Sequence, residues 1–208
     1  MKTEFEATFY PIDKNEIRER LSRAGALLIR PEFLQTRTAF NLPPERAIAG
    51  GWLRVRDEGD IITLSLKVID GTGIAGQHEL QLVVNSFADA EELLTMIGCV
   101  KKSYQESRRE VWRLGGAEVT IDEWPFLEPF VEIEGESEEL VRTVAERLGF
   151  DYSAAIFDSV TALYVQQYGL TADRINNHTR ALFLTWKTRF ISPERILNKL
   201  CYDRSITC

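Results

Sequence analysis

Six or seven segments of this 208-residue chain alternate polar and apolar residues with a period of two, and their polar faces are sorted by charge sign. Such alternation places successive side chains on opposite faces of a β-strand. Residues 2–10 set Glu4, Glu6 and Thr8 against Phe5, Ala7 and Phe9, and Pro11 ends the run. Residues 33–41 form a second strand, stopped by Pro43-Pro44. Residues 52–57 set Arg54 and Arg56 against Leu53 and Val55, and 61–69 set Thr63, Ser65 and Lys67 against Leu64, Leu66 and Val68. Residues 77–84 offer Glu79 and Gln81 opposite Leu80 and Leu82. The run 101–114 carries Arg109 and Arg113 on one parity and Arg108 on the other. Residues 117–124 carry Asp122, and 129–134 set Glu132 and Glu134 against Val131 and Ile133. A solvated sheet face normally mixes its polar residues. Sorting by sign across six or seven of about eight strands, the number that closes a small barrel, predicts an α+β fold in which an eight-stranded antiparallel barrel turns the charges into its lumen. Leu53, Val55, Leu66 and Ile133 are then expected to face covering helices.

The connections suit that ring. Glu58-Gly59-Asp60 and Gly115-Gly116 read as hairpin turns. Asp13 caps a helix to about Ala24 with Glu16 completing a capping box, and Ser86 caps another through Ile97. Two more helices are predicted over 137–148 and 153–168, Tyr164 and Tyr168 packing the last one on the barrel. Charge marks a boundary. Residues 1–168 hold 18 Lys/Arg against 29 Asp/Glu, whereas 169–208 hold seven against three. The division is therefore an acidic domain over 1–168 and a basic C-terminal extension over 169–208.

A net charge of −7 argues against non-specific nucleic-acid binding. No apolar run nears the roughly 20 residues of a membrane span, and the patterned start at Met1 is unlike a signal peptide. Cys99, Cys201 and Cys208 are odd in number and lack metal spacing, which points to the reducing cytoplasm. Gly71 to Gly76 imitates a dinucleotide fingerprint but precedes no helix, so it reads as a hairpin loop. His78 and His178 stand alone, and Cys99 reads as a small buried residue.

A basic patch facing an acidic one in a single lumen has a defined chemistry. Guanidinium and ammonium groups suit phosphate, Arg with bidentate contacts. Carboxylates suit a hard divalent cation such as magnesium.

The motifs Glu4-Phe5-Glu6, Leu53-Arg54-Val55-Arg56, Leu64-Ser65-Leu66-Lys67, Arg109-Glu110-Val111-Trp112, Ile121-Asp122-Glu123 and Phe130 to Gly135 occur in the order seen in the CYTH family, which the chain resembles over about residues 1–168. That family groups class IV adenylate cyclases, thiamine triphosphatases and inorganic triphosphatases. The resemblance implies an antiparallel triphosphate tunnel with Mg2+ or Mn2+. It implies that Arg54, Arg56, Lys67, Arg109 and Arg113 bind substrate phosphates, with Arg109 preferred to Arg108 because Arg-x-x-aromatic ends at Trp112. It implies metal-side carboxylates at Glu6, Asp122, Glu132 and Glu134, and Glu4 or Glu6 as the group that orients or deprotonates the nucleophile. Glu79 matches an acidic position of open role. The family's Glu-x-Glu-x-Lys signature stands here with Thr8 in place of Lys, and the His-Phe motif of bacterial cyclases has no counterpart.

The expected function is metal-dependent hydrolysis of a triphosphate: inorganic triphosphate, ATP or thiamine triphosphate. The alternatives are a class IV adenylate cyclase and, because of Thr8, a non-catalytic polyphosphate or nucleotide binder. A small triphosphate molecule is the expected partner, with no nucleic acid and no membrane, and a homodimer is left open.

Overall fold

The computed structural model describes residues 1–71 and 73–184. Eight antiparallel strands close on themselves: β1 (Lys2–Phe9), β2 (Leu27–Asn41), β3 (Gly51–Asp57), β4 (Ile62–Ile69), β5 (Gln77–Val84), β6 (Val100–Leu114), β7 (Ala117–Glu123) and β8 (Phe130–Gly135). Around the ring they run β2-β3-β4-β5-β1-β8-β7-β6, and the long β2–β6 pairing closes it. The helices are α1 (Lys14–Arg23), α2 (Phe87–Met96), α3 (Glu138–Arg147), α4 (Val160–Tyr168) and α5 (Ala172–His178). A two-residue strand β9 (Ala181–Leu182) adds to β6 in parallel. This is the predicted barrel with flanking helices. The predicted extension is described only as far as α5 and β9, and Cys201 and Cys208 lie outside the described residues.

The apolar parity of each strand faces outward. Ala7, Ile121, Val131 and Ile133 pack beneath Ile17 and Leu21 of α1 and Val141 and Val144 of α3. On the far side of the ring α2 lays Ala90 and Leu94 over Phe40 and Val55, with Cys99 buried among them and Leu53 packed alongside. Leu66 does not meet its expectation. It is half-buried and outside this cluster, because α2 reaches the β2–β3 side and leaves Leu80 and Leu82 of β5 exposed. At one barrel end Trp124 and Phe130 carry Leu163 and Tyr164 of α4 and Ile175 of α5. The Tyr164 hydroxyl donates to Pro125 O at 2.7 Å, and the Tyr168 hydroxyl donates to Phe126 O. These bonds strap α4 to that end, as the tyrosine spacing predicts.

Three local features depart from the sequence reading. β2 starts at Leu27 rather than 33, since register shifts around Leu28, Arg30 and Phe33 absorb Pro31 without ending the strand. The capping box is half-made: Asp13 accepts from Asn15 N and Glu16 N, but the Glu16 carboxylate turns to Arg20. The helix expected over 153–168 begins only at Val160. β5 pairs with β1 only over Lys2–Glu4, so Thr8 lacks a strand neighbour on that side. Ile156 supplies one, giving O to Thr8 N at 3.0 Å and N to Thr8 O at 2.9 Å. A residue whose backbone serves a strand cannot also serve a helix.

Gly50 sets the tunnel mouth. Its φ is +69°, and a Cβ there would stand 1.9 Å from Ile69 O, whose residue bonds Gly50 where the start of β3 meets the end of β4. Gly50→Ala should therefore cost at least the roughly 1–3 kcal/mol of backbone strain, with the clash in addition. Urea denaturation checks this, and an unchanged midpoint would show that the mouth re-forms freely.

Candidate active site

Every charged parity converges in one lumen. Register places the groups. Lys67 pairs with Glu79 across β4–β5, Arg109 with Asp122 across β6–β7, and Glu6 with Glu134 across β1–β8. The lumen holds a cavity of about 1360 Å³, lined by Arg54, Arg56, Lys67 and Arg109 on the basic side and by Glu4, Glu6, Glu79, Glu132 and Glu134 on the acidic side. Arg113 also lines it, exposed near the mouth. Arg108 takes the other parity and pairs outside the barrel with Glu32 and Glu123.

Cations and carboxylates interlock where they meet. Arg54 Nη2 donates to Glu79 Oε1 at 2.9 Å. Lys67 Nζ stands 2.9 Å from Glu4 and 3.8 Å from Glu79. Arg56 is held by Glu58 from the β3–β4 turn at 2.7 Å. Arg109 grips Asp122 with two bonds of 2.8 and 2.9 Å and also donates to Glu132. Asp122 is fully buried, takes a further bond of 2.7 Å from Thr120, and does not line the cavity. It sits as the anchor of Arg109 rather than as an open carboxylate, unlike the metal-facing place expected for it. Thr8 keeps the inward parity beside Glu6, yet it is buried and also absent from the cavity wall.

Burial and crowding displace the acids. Burial, the nearby Glu79 carboxyl and its charge push Glu4 up to about 7, against the pull of Lys67. Burial and the charges of Glu6 and Asp122 push Glu132 up to about 8, and Glu6 rises through burial and the charges of Glu4 and Glu134. Glu79 goes the other way. Burial alone would raise it, but hydrogen bonding to Glu4 and the charges of Arg54 and Lys67 together hold it below the usual range.

Three lumen groups escaped the sequence reading. Arg37 of β2 is buried beside Gln35 and Ser107. Lys102 of β6 and Glu118 of β7 also line the cavity. Gln35 and Arg37, two apart, carried the signal: they give β2 a polar parity like that of its neighbours.

A cation's place can be tested on the donor set. Carboxylate oxygens suit Mg2+ or Mn2+. Among the described residues no three Asp, Glu, His or Cys side chains form a ready-made shell. Magnesium does not need one, since it takes one or two carboxylates and completes its sphere with water and phosphate oxygens. Glu6 and Glu132 are raised by burial and by neighbouring carboxylates even with Arg109 and Lys67 nearby, so they have negative charge to share with a further cation. The site therefore fits such an ion.

Solved structures share this architecture. A conserved hypothetical protein of Pyrococcus furiosus superposes with a TM-score of 0.66 at 21% identity, covering 77% of this chain and 99% of that one. A candidate adenylate cyclase of Vibrio parahaemolyticus gives 0.68 at 12% identity, with 78% and 97% covered. A candidate adenylyl cyclase of Hippeastrum with a dominant triphosphatase activity gives 0.54 at 14% identity, with 82% and 97% covered. A comparison with curated protein sequences returns no match. No helix among the described residues is long and apolar enough to cross a membrane. The model of the CYTH domain matches residues 3–161, which spans the whole barrel and the segment that carries Ile156, and the chain belongs to the CYTH family.

Proposed function

We propose that the protein is a cytoplasmic, divalent-metal-dependent enzyme that hydrolyses a triphosphate inside the barrel. The observation that supports this most directly is the opposition of Arg54, Arg56, Lys67 and Arg109 to Glu4, Glu6, Glu132 and Glu134 across one cavity. Arg54, Arg56 and Lys67 bind phosphate oxygens, trading their contacts to Glu79, Glu58 and Glu4 for the substrate. Arg109, fixed by Asp122, neutralises charge that develops on the leaving phosphate. Arg113 draws the anion in at the mouth.

Glu6, Glu132 and Glu134 are the residues that would hold Mg2+ or Mn2+. When bound, the ion supplies Lewis acidity toward phosphate oxygens. Glu4, poised at about 7, accepts the proton of the attacking water, since a base is most effective when its pKa lies near the working pH. Glu79 keeps its charge and holds Arg54 and Lys67 in place.

The test is phosphate release from tripolyphosphate, ATP and thiamine triphosphate with Mg2+ or Mn2+. Release from none of them would leave the binder reading in place. Arg56→Ala should raise KM for triphosphate about tenfold or more, one charge-assisted contact contributing roughly 1.5–3 kcal/mol. Glu134→Ala should instead raise the metal concentration needed for half-maximal rate. Loss of the same parameter by the same factor in both variants would refute this division of labour. Cyclisation of ATP is a second reading. A cavity of about 1360 Å³ exceeds the usual ligand pocket and leaves room for a nucleoside. Mass detection of cyclic AMP separates the two reactions.

A further inference from the structure

The outside of the barrel is unevenly covered. α2 lies over β2 and β3, and α3 lies over β1 and β8. β4 and β5 stand between those pairs in the ring, and no helix among the described residues covers their middle. Their outward side chains Leu66, Leu80 and Leu82 floor an open apolar trough, Leu80 and Leu82 being 44% and 54% exposed. α2 forms one side of it. Ala90 and Leu94 turn to the barrel, and Glu91 reaches Lys101 on β6 at 3.1 Å. The opposite flank, toward β4 and β5, therefore carries Leu93 and the C-cap residue Ile97, with Met96 beside them on the solvent side. Leu93, Met96 and Ile97 follow the spacing i, i+3, i+4 and are 55%, 79% and 58% exposed, where an ordinary surface helix is polar.

An apolar helix flank beside an apolar trough is complementary to itself, and a two-fold axis uses the same patch twice. We propose that this face binds a second copy of the chain, the two α2 helices lying antiparallel across the axis with Leu93, Met96 and Ile97 of each seated on Leu66, Leu80 and Leu82 of the other. The area suffices. At about 200 Å² for a fully exposed residue of this size, the five most open of these side chains present about 600 Å², as much as the largest patch of an ordinary monomer. Homodimer interfaces are about 65% apolar, so this corresponds to roughly 900 Å² from each partner, and a stable dimer takes about 800 Å². The strand beneath is also unguarded. β1 pairs with β5 only as far as Glu79, and Leu80 to Val84 hold neither a charge nor a proline. Another exposed apolar run, Leu27–Ile29, is followed by Arg30 and Pro31, the charge and proline with which natural strand edges block pairing. The inference is independent of the chemistry in the tunnel.

Sedimentation equilibrium of the full-length protein tests it. The parent should dimerise between about 1 and 100 μM. Leu93→Lys on the helix and Leu82→Lys in the trough should each raise the dimer dissociation constant about tenfold or more, since each buries an unpaired charge in an apolar contact. Leu28→Lys, on the other exposed run, serves as the control and should stay within about twofold of the parent. Added salt should tighten the dimer, because it screens the repulsion between two chains of net charge −7. Amide hydrogen exchange of the parent needs no variant: at high concentration, protection should rise over Leu80–Val84 and Phe87–Ile97 and not at Leu27–Ile29. A parent that stays monomeric throughout refutes the proposal. So does a dimer that Leu28→Lys breaks while Leu93→Lys and Leu82→Lys leave it intact, or a dimer that salt dissociates. Loss in Leu93→Lys with none in Leu82→Lys would show that the helix is not seated in the trough.

Discussion

Arg109→Ala should destabilise the fold by about 3–5 kcal/mol, the usual consequence of removing one partner from a buried ion pair. Arg109 is the hub of a three-strand network. It binds Asp122 on β7 with two hydrogen bonds and Glu132 on β8 with a third. Asp122 is fully buried and would lose the guanidinium that neutralises it. Glu132, already raised to about 8 with Arg109 present, would lose one of its cations. Urea denaturation of the parent, Arg109→Ala, Asp122→Asn and the double variant forms the relevant cycle. The double variant should recover part of the loss, since the uncompensated charge goes with its partner. A loss below about 1 kcal/mol in Arg109→Ala would place the pair among ordinary exposed salt bridges. Triphosphate binding by Asp122→Asn adds a second measure. If Asp122 works only by orienting Arg109, that variant weakens triphosphate binding without changing the metal concentration required.

The network also shows what a sequence can reveal. Period-two alternation identifies a face, so Arg54, Arg56, Lys67, Glu132 and Glu134 were legible as one lumen once six or seven such strands were found among about eight. Alternation alone left Arg109 and Arg108 open, and only the family resemblance, through the spacing Arg-x-x-aromatic ending at Trp112, favoured Arg109; the structure buries Trp112 under the outer helices while Arg108 joins Glu32 and Glu123 outside. Arg37 was missed for the converse reason. On β2 its neighbours of like parity are Gln35 and Ala39, so no run of charge marks the face. Pro31 further hid the first part of that strand, although a bulge tolerates proline. Ile156 was not readable at all: its strand-like role comes from β5 leaving β1 after Glu4, which is a matter of tertiary pairing. The same event explains Thr8. Parity alone puts it in the lumen, but the crossing segment at Ile156 seals that end of the wall, so a lysine there would enter a packed site rather than an open one.

Raising the pH from about 4.5 to 8 should progressively destabilise the metal-free protein. Glu4 moves from 4.5 to about 7, and Glu132 from 4.5 to about 8, while Glu6 moves in the same direction. A carboxyl whose pKa is higher folded than unfolded binds its proton more tightly in the native state. Its contribution is therefore fully present below the unfolded value and lost as pH rises through the folded one. Each shift of this kind is on the order of 3 kcal/mol between protonation states. Glu79 acts oppositely, since its pKa is lowered on folding; its stabilisation is present above about 4.5 and is lost only in more acidic solution. Arg56, lowered to about 9 by burial and by the charge of Arg54, begins to titrate only at the alkaline end of this window and leaves the slope below it to the acids. A divalent cation should reverse the trend, because it binds the ionised carboxylates of the folded state. At a hundred times its dissociation constant it would contribute about 2.7 kcal/mol. Melting temperatures measured from pH 5 to 8.5, with and without Mg2+, give the comparison. The metal-free curve should fall with pH, and its gap from the magnesium curve should widen. A metal-free melting temperature that rises across this range would show that Glu4 and Glu132 are already ionised without cost. A gap that stays constant would show that the cation is not held by the carboxylates that titrate.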